Sequence, residues 1–160
     1  CCYIVVATVC NEVEVLRLEI GEQVQINRCL AVRKKFLSGL WLQNSMLVIG
    51  SGRNQLEVIQ FDTEHCLNRR KHECSVCIKD VAIAPKCLYV LSDDGSVSQL
   101  DLQTGHRSEL FAPASEEQKC VRIRIHPTLA EEDHLICAYP GHIDLFAVKG
   151  AKKLLSVSCC

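Results

Sequence analysis

The sequence predicts an all-β fold of about four four-stranded antiparallel β-propeller blades, forming part of a seven- or eight-bladed propeller. Three observations carry this: a hairpin pattern recurring about every forty residues, further strands flanking the hairpins, and no 10–15-residue segment with a helical stripe. Residues 1–30, 31–73, 74–113 and 114–160 are the expected blades of a single propeller segment.

Four stretches share one form, a β-rich run, a polar turn and a second β-rich run. They are YIVVATVCNEVEVLRL, SMLVIGSGRNQLEVIQF, CLYVLSDDGSVSQLDL and HLICAYPGHIDLFAV. Val, Ile, Leu and Tyr supply the strands, and Asn, Asp and Gly supply the turns, as hairpins require. With Leu16, Ile59, Leu100 and Phe146 taken as equivalent, the intervals are 43, 41 and 46 residues. A leading strand precedes three hairpins. In FLSGLWLQ it is irregular, although Leu40 and Leu42 share a face. In DVAIAP and RIRIHP, Val81 and Ile83, then Ile123 and Ile125, alternate, and a proline ends each run. The first unit lacks this strand. The more polar runs after the hairpins (QVQINRCL, LNRRKHE, HRSELFA and AKKLLSVS) suit outer edge strands, where charge discourages further pairing. Four antiparallel strands at this period fit propeller blades better than a sandwich or a helical solenoid.

Composition narrows the classes of function. With 48% hydrophobic and 23% charged residues, the chain is neither disordered nor collagen-like. A net charge of −1 leaves no overall field toward nucleic acid or an anionic membrane. The apolar runs fall short of the roughly 18 residues that cross a bilayer, and Tyr3–Val9 lacks the basic leader and cleavage site of a signal peptide. Cys-Cys pairs at both ends, with no polar tail, are expected of a segment taken from a longer chain. The twelve cysteines follow no repeated framework. Cys87, Cys120 and Cys137 lie in or beside apolar strands, where a free thiol behaves as a small hydrophobe. That usage points to a reducing compartment, cytoplasm or nucleus, with an extracellular disulfide protein as the alternative.

In the third unit, Ser92, Asp93, Asp94, Gly95, Val97, Asp101, Thr104 and Gly105 form a polar turn with Asp-Gly, an alternating strand, an Asp near its end, then Thr-Gly. This unit resembles a blade of the WD-repeat family. Leu100 stands where that family has Trp. The matching positions elsewhere are Leu16, Ile59 and Phe146, and the Asp slots after them hold Arg17, Gln60 and Ala147. The family's Gly-His near each blade start is missing. The resemblance covers nearly the whole chain as a pattern and one unit closely, and it implies the propeller fold. The departures mean that the family's buried Asp–His–Ser/Thr–Trp network does not form here as a set. Divergent propellers such as the citron-homology type look similar at this level. Four units leave three closures open: about half of a larger ring, a small four-bladed ring whose first blade is completed by the C-terminal residues, or paired half-rings from two chains.

Few residues point to chemistry. Cys66, His72, Cys74 and Cys77 form the one metal-like spacing, but Cys77 enters a strand and no second C-x2-C follows, so no metal or other cofactor is expected. His126, before Pro127, has no matching nucleophile motif and reads as a turn residue. Asp93, Asp94 and Asp101 read as turn and strand-end residues bonding nearby backbone. Phosphate-loop, dinucleotide, nucleophile-elbow and zinc-protease motifs are absent, so an enzyme is not expected. The basic clusters Arg33-Lys34-Lys35, Arg69-Arg70-Lys71 and Lys152-Lys153 fall on outer strands or between units, and few aromatics neighbour them, so nucleic-acid binding is the second reading. The leading expectation is a protein-interaction scaffold, a segment or subunit of a multiprotein complex. Its partners are other proteins, peptides or the remaining blades of the same protein. The hairpin-turn residues Arg53, Asn54, Asp93, Asp94, Tyr139 and His142 are the expected partner-binding set.

Overall fold

The computed structural model describes residues 2–8, 12–21, 23–33, 37–43, 45–51, 54–62, 66–74, 76–113, 115, 118–126 and 133–158. Among them are fifteen strands, β1 Cys2–Ala7, β2 Glu12–Ile20, β3 Val24–Arg33, β4 Gly39–Gln43, β5 Met46–Ser51, β6 Gln55–Phe61, β7 Cys66–Glu73, β8 Ile78–Ile83, β9 Cys87–Ser92, β10 Val97–Asp101, β11 Arg107–Phe111, β12 Arg122–His126, β13 His134–Tyr139, β14 His142–Ala147 and β15 Lys152–Ser158. They make four antiparallel meanders: β1-β2-β3, β4-β5-β6-β7, β8-β9-β10-β11 and β12-β13-β14-β15. The first sheet has three strands among the described residues, in keeping with the missing leading strand, and the others have four. No helix among the described residues is long and apolar enough to cross a membrane. Residues 1–75 form one compact unit holding two sheets, and residues 76–160 form a second holding the other two.

In the 1–75 unit, strand alternation sends Val13, Val15, Leu47, Ile49, Ile59 and Phe61 into one core, with Tyr3 and Val5 packed against it. The Tyr3 and Phe61 rings meet edge to face at 5.3 Å. Gly39 and Gly50 are directly paired between β4 and β5. The Trp41 indole lies over both: it fills the space a side chain at Gly39 would occupy, while at Gly50 the Ser38 hydroxyl takes that space with the indole edge 3.3 Å away.

In the 76–160 unit, Cys87, Tyr89 and Leu91 on β9 face Ile123, Leu135 and Cys137 of the last sheet. Polar links among the described residues also join the sheets inside this unit. Asp80, 7% exposed, accepts the amide of Ile123 at 3.1 Å and the Arg124 guanidinium at 2.8 Å, tying β8 to β12. Tyr89 donates its hydroxyl to Asp133 at 2.6 Å. Burial, then the hydrogen bond to Asp133, pushes the Tyr89 phenol far above its usual range.

The β9–β10 turn follows its sequence. The Gly95 amide donates to Ser92, the Ser92 amide donates to Ser96, and Gly95 takes φ +86°, a conformation open to glycine and strained for other residues. The Asp94 carboxylate accepts the Ser96 amide at 2.9 Å and its hydroxyl at 2.7 Å. At the far end of β10, Asp101 accepts from Gln103 and Thr104 while Gly105 closes the turn. Asp94 is a turn residue and Asp101 a strand-end residue, as their spacing predicts.

A second repeat runs through all four sheets. Each penultimate strand carries a register shift against its outer strand, at Val15/Leu16, Gln60/Phe61, Val97/Ser98 and Leu145/Phe146. Such bulges tighten the local twist. In every sheet a cation on the outer strand pairs with one of the equivalent positions: Arg28 with Leu16, Arg69 with Ile59, Arg107 with Leu100, and Lys153 with Phe146. Each cation then reaches diagonally to the residue two positions earlier. Arg28 meets Glu14 at 3.1 Å, Arg69 meets Glu57, Arg107 meets the Ser98 hydroxyl at 2.7 Å, and Lys153 meets Asp144 at 2.8 Å. Members of all three basic clusters therefore lie on outer strands, and two of them hold buried carboxylates.

Candidate functional site

The described hairpin-turn residues divide between the two units. In the 1–75 unit Asn54 is exposed, and its carbonyl accepts the Cys74 amide at 2.7 Å. Arg53 lies outside the described residues. In the 76–160 unit Asp93 is exposed and donates its amide to Cys77 at 2.9 Å. Asp94 borders a shallow hollow with Ser96, Glu109 and Lys119. The two hydrogen bonds from Ser96 hold its carboxyl below the ordinary carboxylate value. Tyr139 and His142, one at each end of the β13–β14 turn, stack at 4.7 Å with their rings nearly parallel.

That stacked pair forms one wall of a groove of about 300 Å³ between the two sheets of the 76–160 unit. The third sheet contributes Gly95 and Phe111, and Ala112 and Pro113 are shared with the Asp94 hollow. The fourth contributes Tyr139, His142, Asp144, Phe146 and Lys153. Phe111 and Phe146 stack across the sheets at 4.8 Å, which gives the groove an aromatic side.

Asp144 supplies the charge. It is 2% exposed, in the middle of β14. Lys153 Nζ lies 2.8 Å and His142 Nε2 3.7 Å from the same oxygen, Oδ2. The other oxygen, Oδ1, is buried with no hydrogen-bond partner among the described residues. Burial pushes the Asp144 carboxyl up, but hydrogen bonds from Lys153 and Ser156 and the charges of Lys153 and His142 outweigh it, and the group titrates below the ordinary carboxylate range. At neutral pH the groove thus holds an ionised carboxylate with one oxygen unused.

Of the expected partner-binding residues, Tyr139 and His142 line this groove; Phe111, Asp144, Phe146 and Lys153 line it too and were not in that set. A signal was present in HIDLFAV, where alternation puts His142, Asp144 and Phe146 on one face and so sets a carboxylate between two ring side chains. Elsewhere, Cys66 and His72 lie on β7, with Cys74 buried just beyond it. No three His, Cys, Asp or Glu among the described residues converge as metal ligands would. Burial, then the charge of Arg70, lowers the His72 pKa below its usual value.

No family model and no curated protein matches the chain. Solved structures do, and they are of β-propeller type. One is apo AztD from Citrobacter koseri, 17% identical with a TM-score of 0.56, covering 92% of this chain and 44% of its own. Another is the N-terminal domain of Nup159, 14% identical with a TM-score of 0.62, covering 98% of this chain and 41% of its own. A third is BBS1N, in complex with ARL6DN, 12% identical with a TM-score of 0.64, covering 98% of this chain and 53% of its own. The chain spans about half the length of these structures. Likeness at such identity establishes the fold alone, antiparallel sheets of the propeller-blade kind.

Proposed function

We propose that this chain is a non-enzymatic, divergent WD-repeat-like segment of a seven- or eight-bladed propeller. In this reading it binds peptide segments of protein partners within a multiprotein complex of the cytoplasm or nucleus. The observation that carries the reading is the groove between the sheets of the 76–160 unit, aromatic on one side and acidic within, at the turn end where Tyr139 and His142 stand. Concave sites with an apolar lining and a few polar groups are where folds of this kind take ligands. The absence of nucleophile, phosphate-loop and metal motifs from the sequence supports binding over turnover. BBS1N, one of the similar structures, is in complex with another protein. Nucleic-acid binding is the weaker reading because Arg69 and Lys153, from two of the three basic clusters, are engaged by Glu57 and Asp144.

The test is selection of a random peptide library on the full chain, followed by affinity measurements on the selected peptides. Tyr139→Ala with His142→Ala is expected to weaken the selected peptides at least tenfold, while Asn54→Ala leaves them unchanged. Unchanged affinity in the double variant would remove the groove from the reading.

A further inference from the structure

We propose that the inner end of this groove is an arginine pocket, in which a guanidinium of the docked segment donates to Asp144 Oδ1 and lies against the Phe111–Phe146 side. The inference rests on the groove being the docking site and names what it takes there.

The geometry around Asp144 is lopsided. Lys153 and His142 both approach Oδ2, Ser156 across the strand pair also supports the carboxylate, and Oδ1 has no hydrogen-bond partner among the described residues although the residue is 2% exposed. A buried carboxylate oxygen without a donor is costly, and a charge-assisted hydrogen bond is roughly twice as strong as a neutral one. The occupant is therefore a donor, and a cationic donor gains most. Of the two cationic side chains, arginine fits this lining better. Its plane stacks on aromatic faces, and its fork reaches an oxygen beside another already in use. A lysine ammonium offers only a point charge, which Lys153 already supplies.

Entry requires a rim side chain to move, because Oδ1 is closed off. The two rim groups at the carboxylate have room to do so, with 32% of the His142 and 51% of the Lys153 side chain exposed.

The experiment uses the full chain and three capped amino acids: N-acetyl-arginine methylamide, the citrulline analogue, which replaces the guanidinium with a neutral urea, and the lysine analogue. Binding is read from amide shifts at Tyr139, His142 and Asp144. The arginine compound is expected to saturate these shifts at least fivefold more tightly than the other two, and Asp144→Asn is expected to abolish the preference. Lys153→Met provides a second variant, which removes the competing ammonium. Arginine is expected to bind it at least threefold more tightly than the parent and to raise its melting temperature further. Equal binding of arginine and citrulline would overturn the pocket, as would weaker arginine binding to Lys153→Met. If library-selected peptides still depend on Tyr139 and His142 in that case, the groove stands and only its arginine preference falls.

Discussion

Asp144 and Lys153 show how much one pair can decide. Removing a cation from a buried carboxylate leaves a charge that water cannot reach, whereas removing one from a hydroxyl leaves only a neutral group. Lys153→Ala is therefore expected to cost about 2 kcal/mol at neutral pH, below the roughly 3–5 kcal/mol of a fully buried pair because the ammonium is half-exposed. Arg107→Ala, whose partner is Ser98, is expected to cost about 1 kcal/mol. Chemical denaturation of both variants checks the order. The sign with pH follows from the carboxyl. Because the folded Asp144 titrates below its ordinary value of 3.8, its stabilisation is present above that value and lost as pH falls through the lower folded one. The Lys153→Ala penalty should thus shrink in acid. All four cations of this repeat were visible in the sequence, yet their partners were not. In the first, second and fourth sheets a bulge near the pair shifts the register by one residue, so counting along two alternating strands gives the wrong neighbour.

At the scale of the element, the hairpins were the most legible feature, since composition alone fixes a strand, a turn and a strand. Ser92–Gly95 forms the turn that Asp-Asp-Gly predicts, and β8 and β12 end before the prolines that close DVAIAP and RIRIHP. Which turns border a groove was not legible, because that depends on residues distant in the sequence, such as Lys119, packing on the β9–β10 turn. Gly95 records this approach. A Cβ there would fall 2.8 Å from the Lys119 side chain and 3.0 Å from its Cα, whereas one at Gly141 would meet nothing within 4 Å. Both residues have φ +86°. Gly141→Ala is expected to cost the backbone strain alone, about 1 kcal/mol. Gly95→Ala is expected to cost about twice that and to disturb the groove rim. Thermal melts of the two variants measure the difference, and equal losses would mean that Lys119 yields without resistance.

Over the whole molecule, burial is uneven in a repeated way. β5 and β9 are buried along nearly their full length, while β15 is exposed throughout and β3 at most positions. Hydrogen exchange is expected to follow this order, with the amides of β5 and β9 slowest and those of β15 and the first half of β3 fastest. Uniform protection from inner to outer strands would contradict it. The period, the strand count and the edge character of the outer strands were all readable in advance, because each is a local pattern repeated four times. The division into compact units at residues 75 and 76 was not, since it reflects how sheets pack rather than how they are spelled.

Trp41, whose ring covers the Gly39–Gly50 pair, is the sole tryptophan of the chain. Indole emission is therefore a built-in optical probe of residues 1–75 alone. With Tyr3 replaced by Phe, the phenol signal comes only from Tyr89 and Tyr139 in residues 76–160. Two wavelengths on one unlabelled sample then follow the two halves separately, and each half gives its own melting curve.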